Sequence, residues 1–212
     1  HQTARRREGR ALLDALERGN RLGVVLLARP YHGDPGLNHG ICEALQKHGY
    51  PVIPIESLPI DDATLGRLYG AEMAAGEISS PLSINDVWAD SFCENSSRKL
   101  WGAKFAARHP NLVALELSSF KCGQDAPLYS VVEEIVEWSG TPFFYFRDID
   151  ENNPAGSIKL RIETIDYFLK RMHEQTRTEP APQGLPQQAV EARENGFGTP
   201  EEKQDTEPAV VA

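Results

Sequence analysis

The run Leu22-Gly23-Val24-Val25-Leu26-Leu27-Ala28 is apolar without a break and is bounded by Arg21 and Arg29. A strand with no polar alternation has both faces buried, so it belongs inside a sheet covered on each side. What surrounds it has the matching rhythm. Ala4 to Arg18 sets Leu12, Leu13 and Leu16 on one side and stops at Gly19-Asn20, a helix-end signal. Leu37 to His48 is amphipathic through Ile41, Ala44 and Leu45 and stops at Gly49. Pro51 to Ile55 reads as a second strand, and Asp61 caps a short helix ending near Leu68, with residues 69–90 irregular. Asn95-Ser96-Ser97 opens a helix to about Arg108. Asn111 to Leu117 is a third strand, Pro127 to Trp138 a helix, and Pro142 to Phe146 a fourth strand. Asn153 to Ser157 leads into a last helix through Arg171. Strands alternating with helices of this length predict βαβ units and a parallel α/β sheet, here of about four strands.

The 212 residues carry 22 Lys+Arg against 31 Asp+Glu, a formal net charge of −9, which argues against a broad nucleic-acid face. No apolar run approaches the ~20 residues needed to span a bilayer, so no membrane partner is expected. The start, His1 to Arg7, is basic with no apolar stretch behind it and does not read as a signal peptide. Since the first residue is His1, the chain reads as a piece of a longer protein. Three cysteines are too few for a disulfide scaffold and point to a reducing, cytoplasmic setting. From Glu174 onward there are eight acidic residues against three basic ones, five prolines and a single aromatic, Phe197. Such a segment cannot bury enough apolar surface to offset its ordering entropy, so residues 174–212 are expected to be a disordered acidic, Pro-rich tail, with Gln187–Arg193 a transient helix at most. The folded α/β domain is then 1–173.

In a parallel sheet the ligand sits beyond the carboxyl ends of the strands, where strand order reverses. Three segments qualify: Arg29 to Asn38, Ser118 to Asp125, and Arg147 to Asn153. The first offers a guanidinium, an imidazole and a carboxamide near a helix N-terminus, where backbone N–H groups favour an anion. Its Gly33-Asp34-Pro35-Gly36 turn serves equally as a plain connector. Gly33 and Gly36 do not make a P-loop, since no Gly-Lys-Ser/Thr follows at the required spacing, and no Gly-x-Gly-x-x-Gly follows a strand. Lys159 and Arg161 open the last helix and either hold a phosphate or form a solvated turn with Glu163. Arg29, Tyr31, His32, Asn38 and Lys159 are the candidate substrate or anion contacts. Arg98, Lys99, Lys104 and Arg108 read as a solvated helix face.

Cys122 stands at a strand end between Lys121, which favours a thiolate, and Gly123, which permits close approach. It is an iron or zinc ligand, a nucleophile or an idle thiol. Cys42 reads as a small buried hydrophobe on its helix, while Cys93, before the Asn95 cap, reads either way. Without C-x-x-C spacing the three cannot complete a tetrahedral metal site unaided.

Several blocks together resemble the activase-related branch of the 2-hydroxyacyl-CoA dehydratase family. They are Ala28-Arg29-Pro30-Tyr31 with Asp34-Pro35-Gly36-Leu37-Asn38, then Lys104 to Leu112, Glu116 to Gly123, and Asp148 to Asn152 followed by Gly156-Ser157-Ile158-Lys159. The resemblance spans roughly residues 10–172 and implies a Rossmann-like or flavodoxin-like domain from the C-terminal portion of a long protein. It implies ATP-hydrolysing activase domains and dehydratase-like segments upstream, neither present in this chain. It further implies ATP-driven, low-potential electron transfer through a cysteine-bound iron–sulfur cluster, [4Fe–4S] or double-cubane. By the resemblance Cys122 is a cluster ligand sharing the cluster with cysteines outside the chain, whereas Cys42 and Cys93 inherit no role. The substrate would be an acyl-CoA or another small molecule, the partners the upstream domains or a second copy in a homodimer. The fragment alone would not be an active enzyme. The competing expectation is a non-catalytic assembly or regulatory scaffold.

Overall fold

A computed structural model describes residues 2–89, 91–118, 122–148 and 155–176. The chain divides between Asp166 and Tyr167 into two compact units, and the sheet and everything built on it lie in the first. Four strands, β1 (Gly23–Leu27), β2 (Val52–Pro54), β3 (Leu112–Leu117) and β4 (Phe143–Phe146), form one sheet in the order β2-β1-β3-β4. All three pairings are parallel, with Val25 opposite Ile53 on one side and Ala114 on the other. This is the α/β architecture that the alternating pattern predicts.

Position in the sheet follows from composition. All residues of β1 and β3, the two central strands, are buried; β1 is wholly apolar and β3 is broken only by Glu116. Proline cannot donate to a ladder, and β2, with Pro51 before it and Pro54 at its end, lies at an edge. Among the described residues the α-helices are α1 (Gln2–Arg18), α2 (Ile41–Lys47), α3 (Asp62–Ala75), α4 (Glu94–Arg108), α5 (Tyr129–Trp138) and α6 (Ala155–Thr176). Leu13 and Leu16 of α1, Leu100, Ala103 and Phe105 of α4, and Val132 and Val136 of α5 enter one core with Val25, Leu27 and Ala114. Glycine lets neighbouring elements approach closely at two positions on the helices. A Cβ on Gly9 would stand 1.8 Å from the carbonyl oxygen of Ser57, and one on Gly102 would stand 3.0 Å from Ile55 and Leu27.

The structure corrects four boundaries. The helix after Asp61 does not stop near Leu68: the Asp61 carboxylate accepts from the Thr64 amide, and the helix continues to Ala75, where Gly76 at φ 74° ends it. Tyr69, fully buried, explains the extension, because the extra turn is what carries it into the core. The helix expected from Leu37 starts only at Ile41, since His39 (φ 51°) and Gly40 (φ 73°) take left-handed conformations that interrupt helical geometry. The α4 N-cap is Cys93 rather than Asn95, its carbonyl accepting from the Ser97 amide at 2.9 Å. Finally, α6 runs five residues beyond Arg171. The tail from 177 onward, with Gln187–Arg193, lies outside the described residues. No helix among the described residues is long and apolar enough to cross a membrane.

Candidate functional site

Because all four strands run the same way, the segments after β1, β3 and β4 leave the sheet at a common edge. The order β2-β1-β3 means that the chain turns one way from β1 to reach β2 and the other way to reach β3. The carboxyl ends of β1 and β3 therefore form the switch point at which such sheets bind ligands.

A buried charge network occupies this point. Arg29, just past β1 and 6% exposed, gives Nε and Nη2 to Asp125 Oδ1 at 2.9 and 2.7 Å. Its remaining donors reach Gln124 Oε1 at 3.3 Å, Ser96 Oγ at 3.4 Å and Cys93 Sγ at 3.7 Å. Asp125, fully buried, also accepts from Ser118 Oγ at 2.9 Å and faces Lys99 Nζ at 3.4 Å. Lys99 donates to Glu116 Oε1 at 2.9 Å, and the other Glu116 oxygen accepts from Arg147 Nε, also at 2.9 Å. The Arg147 guanidinium lies over the rings of Tyr129 and Tyr145 at 4.1 and 4.2 Å. Charges this deep persist only when paired, and each segment contributes to the pairing. Burial alone would push the Asp125 carboxyl up, but Lys99, Arg29 and Ser118 outweigh it and hold it below the usual carboxylate range.

Two thiols border the network. Cys93 Sγ donates to Gln124 Oε1 at 3.7 Å, and the Ser96 hydroxyl, the Ser96 amide and Arg29 bring its pKa down to about 7. Cys122 lies beside Tyr31, whose hydroxyl is pushed up first by burial and then by that thiol. His32, 2% exposed, packs against the Tyr31 ring at 4.4 Å, and its Nδ1 has no hydrogen-bond partner. Burial, with Lys99 close by, lowers His32 to about 4 and keeps it neutral at physiological pH. Cys42 is different: burial and Glu43 raise it to about 11.

Of the residues proposed from sequence, the fold gathers Arg29, Tyr31, His32 and Cys122 at this edge. Asn38 is buried in the loop's own framework, donating from Nδ2 to His32 O at 3.0 Å and accepting from the Gly40 amide at 2.9 Å. Lys159 lies apart, in a groove of about 220 Å³ with His39, Ala44, His48 and Ile162. Arg161 is paired with Asp148 at 2.7 Å. Lys121 and the segment from Ile149 to Asn153 lie outside the described residues. The solvated basic face expected on α4 is corrected. Lys99 and Lys104 are 1% and 0% exposed, Lys104 holding Asp86 at 2.6 Å and the Ser83 carbonyl at 2.8 Å. The buried acids Glu116 and Asp125 draw Lys99 inward, while Asp86 and the Ser83 carbonyl hold the Lys104 ammonium.

Sequence reasoning missed Asp125, Ser96, Lys99, Glu116 and the role of Cys93. One signal was present: Glu116 is a lone acid within an otherwise apolar buried strand, which demands a buried cation nearby. For an iron–sulfur cluster the edge supplies two thiols where such clusters take four ligands. Among the described residues there is no group of three or more His, Cys, Asp or Glu placed to hold a metal ion. The described residues therefore do not make up a complete cluster site.

No curated protein and no solved structure matches the chain. Residues 1–58, from α1 through the first strand, the Arg29–Asn38 loop and β2, match the family model described as CoA enzyme activase uncharacterised domain (DUF2229), and the chain is thereby similar, over this stretch, to an activase-related family.

Proposed function

We propose that this chain is the α/β portion of an iron–sulfur, 2-hydroxyacyl-CoA dehydratase-like protein of the activase-related kind. In this reading it contributes to ATP-driven, low-potential electron transfer or reductive dehydration in the cytoplasm. Cys122 would supply one thiolate to the cluster. The other ligands, and the ATP-hydrolysing domains, would come from upstream parts of the same protein or from a second copy. The observation that carries the reading is the position of Cys122 at the switch-point edge, beside Tyr31 and within the field of Arg29. A bound cluster would supply a low-potential electron. The chain's own residues would hold one ligand, set a positive charge beside the thiolate and keep a neutral imidazole, His32, in the same neighbourhood. An acyl-CoA or other small anionic substrate would bind along this edge.

Iron and acid-labile sulfide analysis of the intact protein, purified anaerobically, tests the proposal. Serine is a poor soft ligand, so Cys122→Ser should lower the iron content and Cys42→Ser should leave it unchanged. Equal iron in wild type and Cys122→Ser rejects the ligand assignment. One observation favours the second reading, a non-catalytic scaffold: Arg29, Lys99, Glu116 and Asp125 satisfy one another. An intact protein that assembles normally yet binds no iron supports that alternative.

A further inference from the structure

We propose that Cys93 and Cys122 form a redox-active dithiol that closes to a disulfide when the edge carries no metal cluster. Cys93 touches the Arg29 guanidinium and Cys122 lies within its field. Arg29 Nη1 is 3.7 Å from Cys93 Sγ, and the same side chain holds Asp125 by Nε and Nη2. Asp125 is one turn from Cys122, because the Asp125 and Ala126 amides both donate to the Cys122 carbonyl, at 3.0 and 3.2 Å. Gln124, inside that turn, is itself bonded to Cys93 Sγ at 3.7 Å. Both thiols are half-buried rather than sealed in. The space beside Gly123 is open, and Phe92, next to Cys93, is fully exposed, so neither neighbour blocks a closer approach of the two segments. A disulfide needs Cα atoms within about 7 Å, and the Gln124 amide that the Cys93 thiol now holds must give way as the sulfurs meet.

Cys93 is the attacking thiol: it caps the N-terminus of the 15-residue α4 and touches a guanidinium, both of which favour thiolate. With a low-molecular-weight disulfide as oxidant, the Cys93 thiolate attacks one sulfur, the oxidant's S–S bond breaks, and one half leaves as a thiolate. The Cys122 thiolate then attacks Cys93 Sγ and expels the second half. Two protein thiols lose two electrons and two protons, and the small disulfide gains them to become two thiols.

The inference stands independently of the cluster assignment, and one experiment keeps the two apart. The intact protein, stripped of iron by a chelator and freed of reductant, is treated with oxidised glutathione, digested and mapped by mass spectrometry. The expected main product is a peptide cross-linked through Cys93 and Cys122 and lighter by two hydrogens, with Cys42 free. In Cys122→Ser, Cys93 should accumulate as the glutathione mixed disulfide. Cys93→Ser places a hydroxyl, a favoured N-cap group, at the start of α4 and should fold, and it should yield no cross-link. Recovery of Cys93 and Cys122 as separate glutathione adducts, or as free thiols, overturns the proposal. A cross-link in a protein that never carries iron supports the dithiol and defeats the cluster. Iron that depends on Cys122, without a cross-link after stripping, does the reverse.

Discussion

Replacing Arg29 by lysine separates a guanidinium held for structure from one held for a ligand. Arg29 makes two short charge-assisted contacts to Asp125 and three longer ones to Gln124, Ser96 and Cys93. An ammonium keeps the charge but offers no planar fork, so lysine can hold Asp125 from one direction and must release the others. A hydrogen bond to a charged group is worth about 1.5–3 kcal/mol. Losing one of the pair together with the weaker links should therefore cost about 2–3 kcal/mol. For a domain of this size each kcal/mol moves Tm by about 2–4 °C, so Tm should fall by about 4–12 °C. Arg29→Met, which strands the buried Asp125 carboxylate with only Lys99 and Ser118, should cost more, about 3–5 kcal/mol. Urea unfolding followed by circular dichroism should show the midpoint falling at unchanged slope. If Arg29→Lys lost less than about 1 kcal/mol while weakening coenzyme A binding tenfold, the reasoning would fail, because the fork would then belong to a ligand.

The remaining predictions concern other parts of the molecule. Gly9→Ala gains about 1 kcal/mol of helix propensity, yet its Cβ would overlap the Ser57 carbonyl, so thermal melting should show net destabilisation of at least about 2 kcal/mol; a stabilised variant would mean α1 packs differently. Lys104→Ala removes a buried stem and the ammonium's contacts to Asp86 and the Ser83 carbonyl and should cost about 2–3 kcal/mol, whereas Lys104→Met, which keeps most of the stem, should cost less; thermal melting of both variants checks the order. Alkylation by iodoacetamide follows the thiolate. The Cys93 rate should rise as pH increases through about 7, whereas Cys42 should stay slow until pH approaches about 11; equal profiles would refute the assigned environments.

The sheet was legible because each strand carried its own burial requirement. Val24 to Leu27 is apolar on both faces and Leu112 to Leu117 is so but for Glu116, and the two inner places of a four-stranded sheet suit such runs. The edge place of β2, which its two prolines suit, comes from the structure. The common loop edge followed from parallel topology alone, which is why Arg29 and Cys122 could be placed together before any coordinates. The pairing chemistry was illegible, since it depends on distances between segments 96 residues apart, as for Arg29 and Asp125. Lys99 illustrates the failure. By spacing it is one of several cations on a polar helix, and nothing local says that Glu116 and Asp125 wait opposite it. Cys93 was obscured for a related reason. Its environment is made by Ser96 on the next turn and by Arg29 from another strand, so neither its neighbours nor its helix position alone reveals a thiol held near pH 7. Arg29 shows the consequence for function. A guanidinium after a buried strand reads as an anion receptor, but the anion it holds here is the chain's own Asp125, 2.7 Å away. Chemistry available to a partner therefore concentrates on the groups the network leaves at its border, the Cys93 and Cys122 thiols.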